Sequence, residues 1–491
     1  MSKDLAQRIG PRLHADPGRV IGQLFVPGEE SPQSRSRATA VLGRLLTLDE
    51  DAVVAQLGEL LPRFAGRHDD LNAMLLRHFS VASHGLQGAA ELSTARKLLV
   101  GACFTSEYSP EAAALFNPAM AMHPNQDDLR PGELRFVMTV RCLGEGHISS
   151  IGFRTGVLGP AGTISIDTPS TSVGTGDRVA TPYSRRLFAT CLAERGVDRD
   201  SIELIMRDLP DEFGLSELIN NIEGLHTHSR QRETVQRAIE SANTVAETSY
   251  AREFSSAVDL SGRLLWPGCS TERHGMEDAR LVRFVDDDGG ATYYATYTAY
   301  DGAQIATHLL ETTDLQRFVI TPVAGRAARN KGLALFPRQV GGRYLALSRW
   351  DRESLAIVDS DDLRVWDQPR PLYGAEQGWE VVQIGNGGSP IETPEGWLVL
   401  THGVGPMRAY SLGAILLDLD DPSRIRATLP RPLLTPNAEE RDGYVPNVVY
   451  TCGALFHDGV VTIPYGISDM AIGFAQLDLP ELLGRMVARS A

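Results

Sequence analysis

The sequence predicts an all-β core built as a five-bladed β-propeller, with an N-terminal helical segment and a helical insertion. Five strand-like segments align without gaps, and a second strand-and-turn element recurs in step with them. After residue 133, short β-type runs bounded by Gly, Pro, Asn and Asp fill most of the chain. Recurring strands of this kind are typical of propeller blades, and a β-sandwich with similar strands is the alternative.

The five aligned segments are rich in β-branched, aromatic and other apolar residues. They are RFVMTVR (135–141), TYYATYT (292–298), RYLALSR (343–349), GWLVLTH (396–402) and GVVTIPY (459–465). The last three spacings are 51, 53 and 63 residues. They are close to the roughly 40 to 50 residues of a four-stranded blade plus loop insertions. The first spacing, 157 residues, leaves room for the helical insertion.

Two regions depart from the β pattern. Residues 1–110 are predicted to be mostly helical, because AVLGRLLTLDEDAVVAQLGELLPRF carries apolar residues at a spacing of three to four. The propeller domain is assigned to residues 111–491. Within that domain, about 184–254 is expected to be the insertion, since RQRETVQRAIESANTVAET is charged, contains Ala and lacks Pro and Gly.

Charge and composition argue against several kinds of partner. The formal net charge of −15 argues against nucleic acid or an anionic membrane surface. No apolar run reaches the roughly 20 residues that span a bilayer, and the N-terminus lacks the apolar stretch of a signal peptide. The five cysteines are widely spread without CxxC spacing, which fits a reducing compartment. The sequence therefore predicts a cytoplasmic protein.

The aligned strands are expected to end at equivalent places around the central axis. Their last residues are Arg141, Thr298, Arg349, His402 and Tyr465. Two arginines, a histidine and a tyrosine at one end of a channel would form a basic, hydrogen-bonding pocket suited to a phosphate or a polyol. The alternative is that each residue only caps its own blade.

The segment RHGMEDARLVRF (273–284) carries the strongest candidate for chemistry. Glu277, Asp278 and Arg280 lie close together, and apolar and aromatic strands flank them. Burial raises the pKa of a carboxylic acid, which would allow it to donate a proton to a glycosidic oxygen. A solvent-exposed salt-bridge turn is the alternative.

Several motifs occur in a fixed order between about residues 111 and 491. They are FNPA, GMEDARLVRF with YYATYTAYDG, NKGLALFPR with YLALSR, IGNGGSPIETPEGWLVLTHGV, LLDLDDP, and GYVPNVVYTCG with PYGISD. Together they resemble glycoside hydrolase family 130, the inverting β-mannoside phosphorylases and related mannosidases. The resemblance implies a catalytic propeller in which inorganic phosphate attacks a β-mannoside and leaves α-mannose 1-phosphate.

The resemblance and the strand ends together assign roles to individual residues. Asp278 is expected to be the catalytic acid, which would protonate the glycosidic oxygen through a hydroxyl of the bound mannose. The residues expected to bind phosphate are Arg141, Lys331, Arg349 and His402. Those expected to contact the sugar are Asn117, Glu277, Asp301, Tyr465 and Asp469.

Departures from the phosphorylase pattern leave other activities open. Ser348 stands where many phosphorylases have a histidine, and Glu145 and His147 have no place in that pattern. An inverting hydrolase needs a second carboxylate roughly 6.5 to 9.5 Å from the acid to activate water. The candidates for such a base are Glu145, Glu380 and Glu392. An inverting β-mannosidase is therefore an alternative, as are a mannosyltransferase and a non-catalytic carbohydrate-binding propeller.

No metal or organic cofactor is expected. The pair His226 and His228 lacks a Cys or carboxylate partner at ligand spacing. GNGGSP (385–390) lacks the Lys-Ser/Thr of a phosphate-binding P-loop. The expected partners are an oligosaccharide and inorganic phosphate as co-substrate, without nucleic acid or membrane. A homo-oligomer is consistent with the resemblance, which sets no stoichiometry.

Overall fold

The structure, a computed structural model, describes residues 4–27, 34–226 and 232–489. Over these residues the protein is mostly β, which confirms the predicted fold class at that level. The chain divides into two compact units. The larger comprises Met1–Ala15, Ala113–Pro169 and Thr175–Ala491, and the smaller comprises Asp16–Ala112 and Ser170–Gly174. No helix in the described part of the chain is long and apolar enough to cross a membrane.

The first strand of the chain, β1 (Gln7–His14), belongs to the larger unit. The smaller unit follows it and is mostly helical. Its elements are the antiparallel pair β2 (Ile21–Leu24) and β3 (Thr105–Tyr108), and the helices α1 (Ser34–Thr47), α2 (Glu50–Phe64), α3 (Leu71–Ala82) and α4 (Thr94–Cys103). Asp49, Asp70 and Ser93 cap α2, α3 and α4 by accepting a hydrogen bond from the first turn, which fixes where each helix begins.

The larger unit is built from antiparallel runs of strands. The first run contains β4 (Ala114–Met122), β5 (Leu134–Leu143), β6 (Ser149–Leu158) and β7 (Ile164–Ile166), paired in that order. Phe136, Val137 and Met138 of β5 are fully buried. A near-continuous apolar strand of this kind is expected where both faces of a sheet are covered.

Helices interrupt the strands inside the predicted insertion. The elements here are β8 (Asp177–Ala180), β9 (Tyr183–Ser184), α5 (Arg185–Glu194), α6 (Arg199–Ile205), β10 (Glu212–Phe213), α7 (Leu215–His226), α8 (Arg232–Glu247) and β11 (Tyr250–Glu253). Their buried side chains, among them Phe188, Leu192 and Phe213, form an apolar cluster. β8 and β11 pair with each other and β11 pairs with a strand of the next run, so the insertion is tied to that sheet.

The second run follows the insertion. It contains β13 (Gly275–Val285), β14 (Ala291–Tyr300), β15 (Ile305–Thr312) and β16 (Arg317–Pro322), while β12 (Leu264–Leu265) pairs with β6. A single parallel pair, Gly275 of β13 with Ser149 of β6, joins this run to the first. The two runs therefore meet at one end of β13, next to the Glu-Asp motif.

Three further runs complete the larger unit. They are β17 (Ala334–Leu335), β18 (Tyr344–Ser348), β19 (Leu355–Ser360) and β20 (Arg370–Tyr373); β21 (Gln383–Asn386), β22 (Ile391–Thr393), β23 (Gly396–Val404), β24 (Tyr410–Leu417) and β25 (Ile425–Thr428); and β26 (Val449–Tyr450), β27 (Leu455–His457), β28 (Val460–Ile467) and β29 (Ala471–Asp478). A short helix, α9 (Leu479–Arg485), and β30 (Val487–Ala488) end the described chain, and β30 pairs with β25.

Each of the five aligned segments forms an interior strand with a paired neighbour on both sides. These strands are β5, β14, β18, β23 and β28. Consecutive runs also share apolar cores. One core contains Phe284 of β13 and Val358 of β19, and another contains Leu347 of β18 and Val399 of β23. The repeat seen in the sequence therefore corresponds to a repeated strand position in the structure.

Strand β1 lies in the segment that the sequence predicts to be mostly helical, but it pairs with β29. Gly10 has a positive φ of 64° and Pro11 lacks a donor N–H, so neither favours a helix here. Arg8 of β1 donates through Nε and Nη2 to Glu440 at 2.8 and 2.6 Å. Glu440 is fully buried, so this ion pair ties the start of the chain to its C-terminal strands.

Replacing Arg8 with Met is expected to destabilise the protein by about 2 to 3 kcal/mol, because it leaves the buried Glu440 carboxylate without its cation. Urea denaturation followed by fluorescence measures the change. The matched control is Arg12→Met on the same strand, where the pair with Glu439 is exposed and its loss should cost below about 0.5 kcal/mol. Equal costs for the two variants would show that β1 is not held by this pair.

Candidate functional site

The candidate site lies where two strands bulge. The register of β13 on β14 shifts around Asp278, and the register of β4 on β5 shifts around Asn117. Both residues have left-handed backbone conformations, with φ of 54° for Asp278 and 47° for Asn117. Asp and Asn adopt this conformation more readily than other non-glycine residues. Bulges of this kind often turn a side chain towards an active site.

The bulge in β13 allows two adjacent carboxylates to contact one arginine. In a regular strand, the side chains of Glu277 and Asp278 would point to opposite faces. Here Arg141 donates through Nη2 to Glu277 Oε1 at 2.7 Å and through Nη1 to Asp278 Oδ1 at 3.1 Å. Asn117 Nδ2 also donates to Asp278 Oδ1, at 2.8 Å, and Lys331 Nζ donates to Glu277. Five of the predicted site residues therefore share one hydrogen-bonded cluster.

Asp278 is ionised in the free protein. Burial by itself raises the pKa of Asp278, but Arg141, Lys331 and Arg280 outweigh burial and lower this pKa to about 2. The expectation of a raised pKa for this carboxyl group is therefore wrong, because the neighbouring cations outweigh desolvation. Cations surround the carboxylate so closely that its charged form is favoured even away from solvent.

Arg280 supplies one of these cations, although no role was predicted for it. Its side chain is fully buried and donates to two backbone carbonyls and one phenol: Nη1 to Asp278 O at 3.1 Å, Nε to Gly387 O at 3.1 Å, and Nη2 to the hydroxyl of Tyr450 at 2.8 Å. None of these three groups is a carboxylate. The charge of Arg280 is therefore left to act on Asp278 and on whatever binds beside it.

A second group of polar side chains adjoins the first. Asn330, the neighbour of Lys331, donates through Nδ2 to Arg349 O at 2.8 Å. Burial lowers the pKa of Arg349, and the repulsion from Arg280 lowers it further. Among the described residues, the buried Nε of Arg349 and both amide atoms of Asn386 have no hydrogen-bond partner. Buried polar groups are normally paired, so this part of the site is arranged to receive a ligand.

His402 is neutral rather than cationic. Burial lowers the pKa of His402 well below its usual value, and Arg349 and Arg280 lower it further. Its Nδ1 lies 3.1 Å from the backbone oxygen of Asn386. Because a carbonyl oxygen can only accept, Nδ1 carries the proton and Nε2 presents a lone pair. The predicted role of His402 as part of a basic pocket is corrected accordingly: it offers an acceptor and no charge.

Asp469 shares the electrostatic environment of the Glu-Asp pair. It lies in the hairpin between β28 and β29 with φ 51°, directly after Ser468 with φ 46°. Burial raises the pKa of Asp469 to about 6, and the nearby charge of Asp278 contributes to the rise. Two carboxyl groups of one site therefore have pKa values moved in opposite directions, a pattern common where proton transfer takes place.

Comparison with known proteins identifies the family. The sequence profile of glycoside hydrolase family 130, described as beta-1,4-mannooligosaccharide phosphorylase, matches residues 260–487. A 1,2-beta-oligomannan phosphorylase of Thermoanaerobacter sp. (strain X514) is 34% identical over 215 residues, which cover 43% of this chain and 71% of that protein. The chain belongs to glycoside hydrolase family 130. Asn117 and Arg141 precede the residues matched by the family-130 profile, so their place in the site rests on the structure.

Two further matches come from Listeria innocua serovar 6a and from solved structures. A beta-1,2-mannobiose phosphorylase of L. innocua is 32% identical over 231 residues, covering 45% of this chain and 63% of that protein. The solved structure of a beta-1,2-mannobiose phosphorylase from Listeria innocua, in complex with beta-1,2-mannobiose, aligns with a TM-score of 0.46 and 22% identity. That alignment covers 76% of this chain and 92% of the other. The assignment to family 130 rests on the sequence matches.

Two residues expected to contact sugar make other contacts in this family-130 chain. Tyr465 is buried in the apolar core between β23–β24 and β28–β29, and its hydroxyl donates to Glu440 at 2.7 Å. It points to the same face of β28 as Ile463, into this core. Asp301 Oδ1 accepts from the backbone N–H groups of Ala303 and Gln304, so it caps its own turn.

Glu380 does not act as a base in this arrangement. It is fully buried, and its Oε1 accepts from the hydroxyl of Tyr373 at 3.0 Å and from the backbone N–H groups of Glu376 and Gln377 at 2.7 and 2.9 Å. The carboxylate therefore holds a loop together, and the suggestion that it activates water is wrong.

Glu392 lies at the opposite end of its sheet from His402. It forms an exposed ion pair with Arg338 at 2.7 Å and pairs with Trp397 across β22 and β23. His402 follows Trp397 by five residues along β23, which is about 17 Å in an extended strand. Glu392 is therefore excluded as a base. Glu145 is exposed on the hairpin between β5 and β6, and its assignment as a base stays a prediction.

Sequence reasoning missed Arg280, Tyr450 and Asn386 as site residues. Arg280 lies two residues after Asp278, on the strand that carries the acid, and that proximity was its available signal. Tyr450 and Asn386 belong to the motifs GYVPNVVYTCG and IGNGG of the family resemblance, which was their available signal. Only the structure brings Tyr450 against Arg280 and places Asn386 beside His402.

Within the described residues, Cys269, Glu272 and His308 form a group whose donor atoms lie within 4.8 Å of one another. Glu272 already accepts hydrogen bonds from Tyr250, Tyr297 and the backbone N–H of Gly268. The group therefore forms a saturated hydrogen-bond network that does not require an ion. The side chain of His226 and all of His228 lie outside the described residues.

Replacing Asp469 with Asn is expected to change how stability depends on pH. The pKa of Asp469 is higher in the folded protein than its ordinary value of 3.8, so the native state holds a proton that the unfolded state has lost between about pH 4 and 6. The wild type therefore loses stability as pH rises through this range. The Asn variant should be more stable at pH 7.5 by on the order of 2 kcal/mol, with no difference near pH 4.

Urea denaturation at several pH values measures this difference. The matched control is Asp458→Asn, an exposed hairpin aspartate with a similar φ of 49°. Its stability should follow the pH curve of the wild type. If Asp469→Asn also follows that curve, Asp469 does not hold a proton in the site.

Proposed function

We propose that this protein is an inverting β-mannoside phosphorylase. Phosphate attacks the anomeric carbon of a terminal β-linked mannose and leaves α-mannose 1-phosphate and a shortened sugar. The observation that carries this proposal is the buried Nε of Arg349, which has no acceptor among the described residues and lies in the same cluster as Lys331 and Asp278. Hydrolysis by water does not require such a cation, whereas a bound phosphate accepts a hydrogen bond from Arg349 and offsets its charge.

The names of the matched relatives support the same chemistry. The relatives from Thermoanaerobacter and Listeria are phosphorylases of 1,2-beta-oligomannan and of beta-1,2-mannobiose. A relative from Ruminococcus albus is a beta-1,4-mannooligosaccharide phosphorylase, 32% identical over 174 residues. The shared sugar is mannose and the linkage differs, so we propose a β-mannoside as substrate without a fixed linkage.

Phosphate binding would make Asp278 able to act as an acid. In the free protein, cations hold the pKa of this carboxyl group at about 2. A phosphate anion beside Arg349 and Lys331 offsets their charge, which raises the pKa of Asp278. The proton then passes from Asp278, through a mannose hydroxyl, to the departing oxygen as the C1–O bond breaks and the bond from C1 to phosphate oxygen forms. Phosphate thus prepares the acid that assists its own attack.

The remaining polar groups suit the two ligands. Asn117 Oδ1 is buried and has no hydrogen-bond partner among the described residues, so it can accept from a sugar hydroxyl while Nδ2 holds Asp278. Nε2 of His402 can accept from a protonated phosphate oxygen, and Arg141 and Lys331 supply charge. We propose Glu277 and Asp469 as further acceptors for sugar hydroxyls. No step of this scheme requires a metal or an organic cofactor.

For the architecture, we propose that the five strand runs are the five blades of a β-propeller. Two observations support this. The aligned segment is the second strand of each run in the order of pairing, and consecutive runs share apolar cores. The domain assignment stays 111–491 with the insertion at about 184–254, and β1 is added to the last blade because it pairs with β29. We also propose a cytoplasmic location, where phosphate and sugar phosphates are available. A homo-oligomer stays a prediction.

The decisive test is incubation of the purified protein with β-mannobioses of different linkage, with and without inorganic phosphate, followed by NMR. We expect phosphate-dependent release of α-mannose 1-phosphate. Asp278→Asn should reduce kcat by about 10² to 10⁴, because it removes general acid catalysis. The control is Asp314→Asn, whose carboxylate caps the turn before β16 and should be replaceable. Free mannose formed at equal rates with and without phosphate would replace this proposal with an inverting β-mannosidase.

Gly385→Ala should weaken phosphate binding without unfolding the protein. A Cβ at this position would lie 2.2 Å from Arg349 Cδ and 2.8 Å from His402 Cε1, so both side chains of the proposed phosphate site must move away. Loss of one charge-assisted hydrogen bond is expected to raise the KM for phosphate by about 10- to 100-fold. Gly374→Ala is the control, since nothing lies within 4 Å of its added Cβ. An unchanged KM for phosphate in Gly385→Ala would remove Arg349 from the phosphate site.

A further inference from the structure

Exposed apolar side chains lie on the loops at the site end of the last two strand runs. Met407, in the hairpin that follows β23, is 91% exposed, and Met470, after β28, is 51% exposed. Tyr444 is 50% exposed, and the backbone next to it is attached to the β28–β29 hairpin by a 3.0 Å hydrogen bond from Val445 N to Ser468 O. Large apolar groups gathered on exposed loops commonly mark a binding surface.

Tyr444 is held in place by His147. The Tyr444 hydroxyl lies 2.7 Å from His147 Nδ1, and the ring centroids are 5.7 Å apart. His147 is exposed, has a left-handed φ of 60°, and belongs to the segment VRCLGEGHISS that has no place in the phosphorylase pattern. The hydrogen bond fixes the orientation of an exposed aromatic ring before any ligand arrives, which reduces the entropy lost on binding.

Both residues are directly connected to the acid cluster. His147 precedes Ser149 by two residues, and Ser149 Oγ accepts from Arg141 Nε at 2.9 Å. Val445, next to Tyr444, is bonded to Ser468, which immediately precedes Asp469. The pair therefore lies at the solvent-facing edge of the groups that would contact mannose and phosphate.

We propose that Tyr444 and His147 bind the sugar on the leaving-group side of the scissile bond. This inference rests on the proposed phosphorolysis. The mannose that is transferred must lie among the buried groups around Asp278, so the sugar that departs extends towards solvent. A pyranose presents a C–H face that packs on an aromatic ring, and a hydroxyl on its edge can bond to Nε2 of His147.

The chemistry of the surface indicates a class of substrate. A fixed aromatic ring and one imidazole nitrogen suit a neutral pyranose. Met407 and Met470 extend the surface with unbranched, adaptable side chains that can pack on further sugar units. These loops therefore hold the neutral sugar units that follow the transferred mannose.

The reverse reaction joins α-mannose 1-phosphate to an acceptor sugar. Because these two ligands bind separately, their KM values report on the mannose side and on the leaving-group side of the site. With mannose and mannobiose as acceptors, Tyr444→Ala should raise the acceptor KM by about tenfold. The KM for α-mannose 1-phosphate should change by less than about twofold. Tyr444→Phe keeps the ring but loses the bond to His147, so it should give a smaller increase, as should His147→Ala. Phe25→Ala removes a ring that is 47% exposed in the other unit and serves as the control.

Binding of mannobiose, measured by saturation-transfer NMR on the wild type and on Tyr444→Ala, keeps the two proposals apart. If the wild type shows no phosphorolysis but binds mannobiose and Tyr444→Ala does not, the proposed function fails and this inference stands. If Tyr444→Ala binds mannobiose as the wild type does, or if its KM rises for α-mannose 1-phosphate instead, the inference is overturned whatever the activity. If neither protein binds mannobiose, both proposals fail.

Discussion

The contact on which the site depends is the pairing of Arg141 with two carboxylates that are neighbours in sequence. Glu277 and Asp278 would face opposite sides of a regular strand, and only the bulge in β13 turns both towards the same guanidinium. The bulge in β4 then brings Asn117 of the first strand run onto Asp278 of the second. These two bulges thus bring side chains from separate strands into one cluster. Asn117 and Asp278 adopt the less favourable left-handed backbone conformation as a result.

This cluster contains more cationic groups than the carboxylates that pair with them. Arg141 and Lys331 are paired with carboxylates, whereas Arg280 is held by carbonyls and a phenol, and Arg349 keeps a buried N–H without an acceptor among the described residues. The excess of positive charge explains why the pKa of Asp278 falls although the residue is buried. Burial, together with this positive charge, keeps His402 neutral beside two arginines. A bound anion would relieve both effects, so phosphate affinity and the proton affinity of Asp278 are coupled through the same charges.

The sequence predicted the strands better than the directions of their side chains. All five aligned segments form interior strands, because a short run of β-branched, aromatic and other apolar residues is a local signal of a strand. Tyr465 shows the limit: alternation says that it shares a face with Ile463 but not whether that face meets the core or the pocket. The sequence singles out the motif around Asp278, but the direction of the pKa shift of Asp278 depends on Arg141 and Lys331, which are distant in sequence. Strand β1 was missed because its pairing partner is the penultimate strand of the chain, β29.

Within the larger unit, the aligned strands and the hairpins that follow them carry different parts of the candidate site. Strand ends supply Arg141 and His402, whose positions are fixed by pairing on both sides, and the bulge in β13 supplies Asp278. The hairpins beyond them carry His147, Met407 and Asp469, which face outward or line the edge of the cluster. Loops tolerate substitution more readily than paired strands. Within family 130, a conserved chemistry on mannose and phosphate could therefore persist in the strands while the hairpins adapt to different leaving groups, consistent with relatives that differ in linkage.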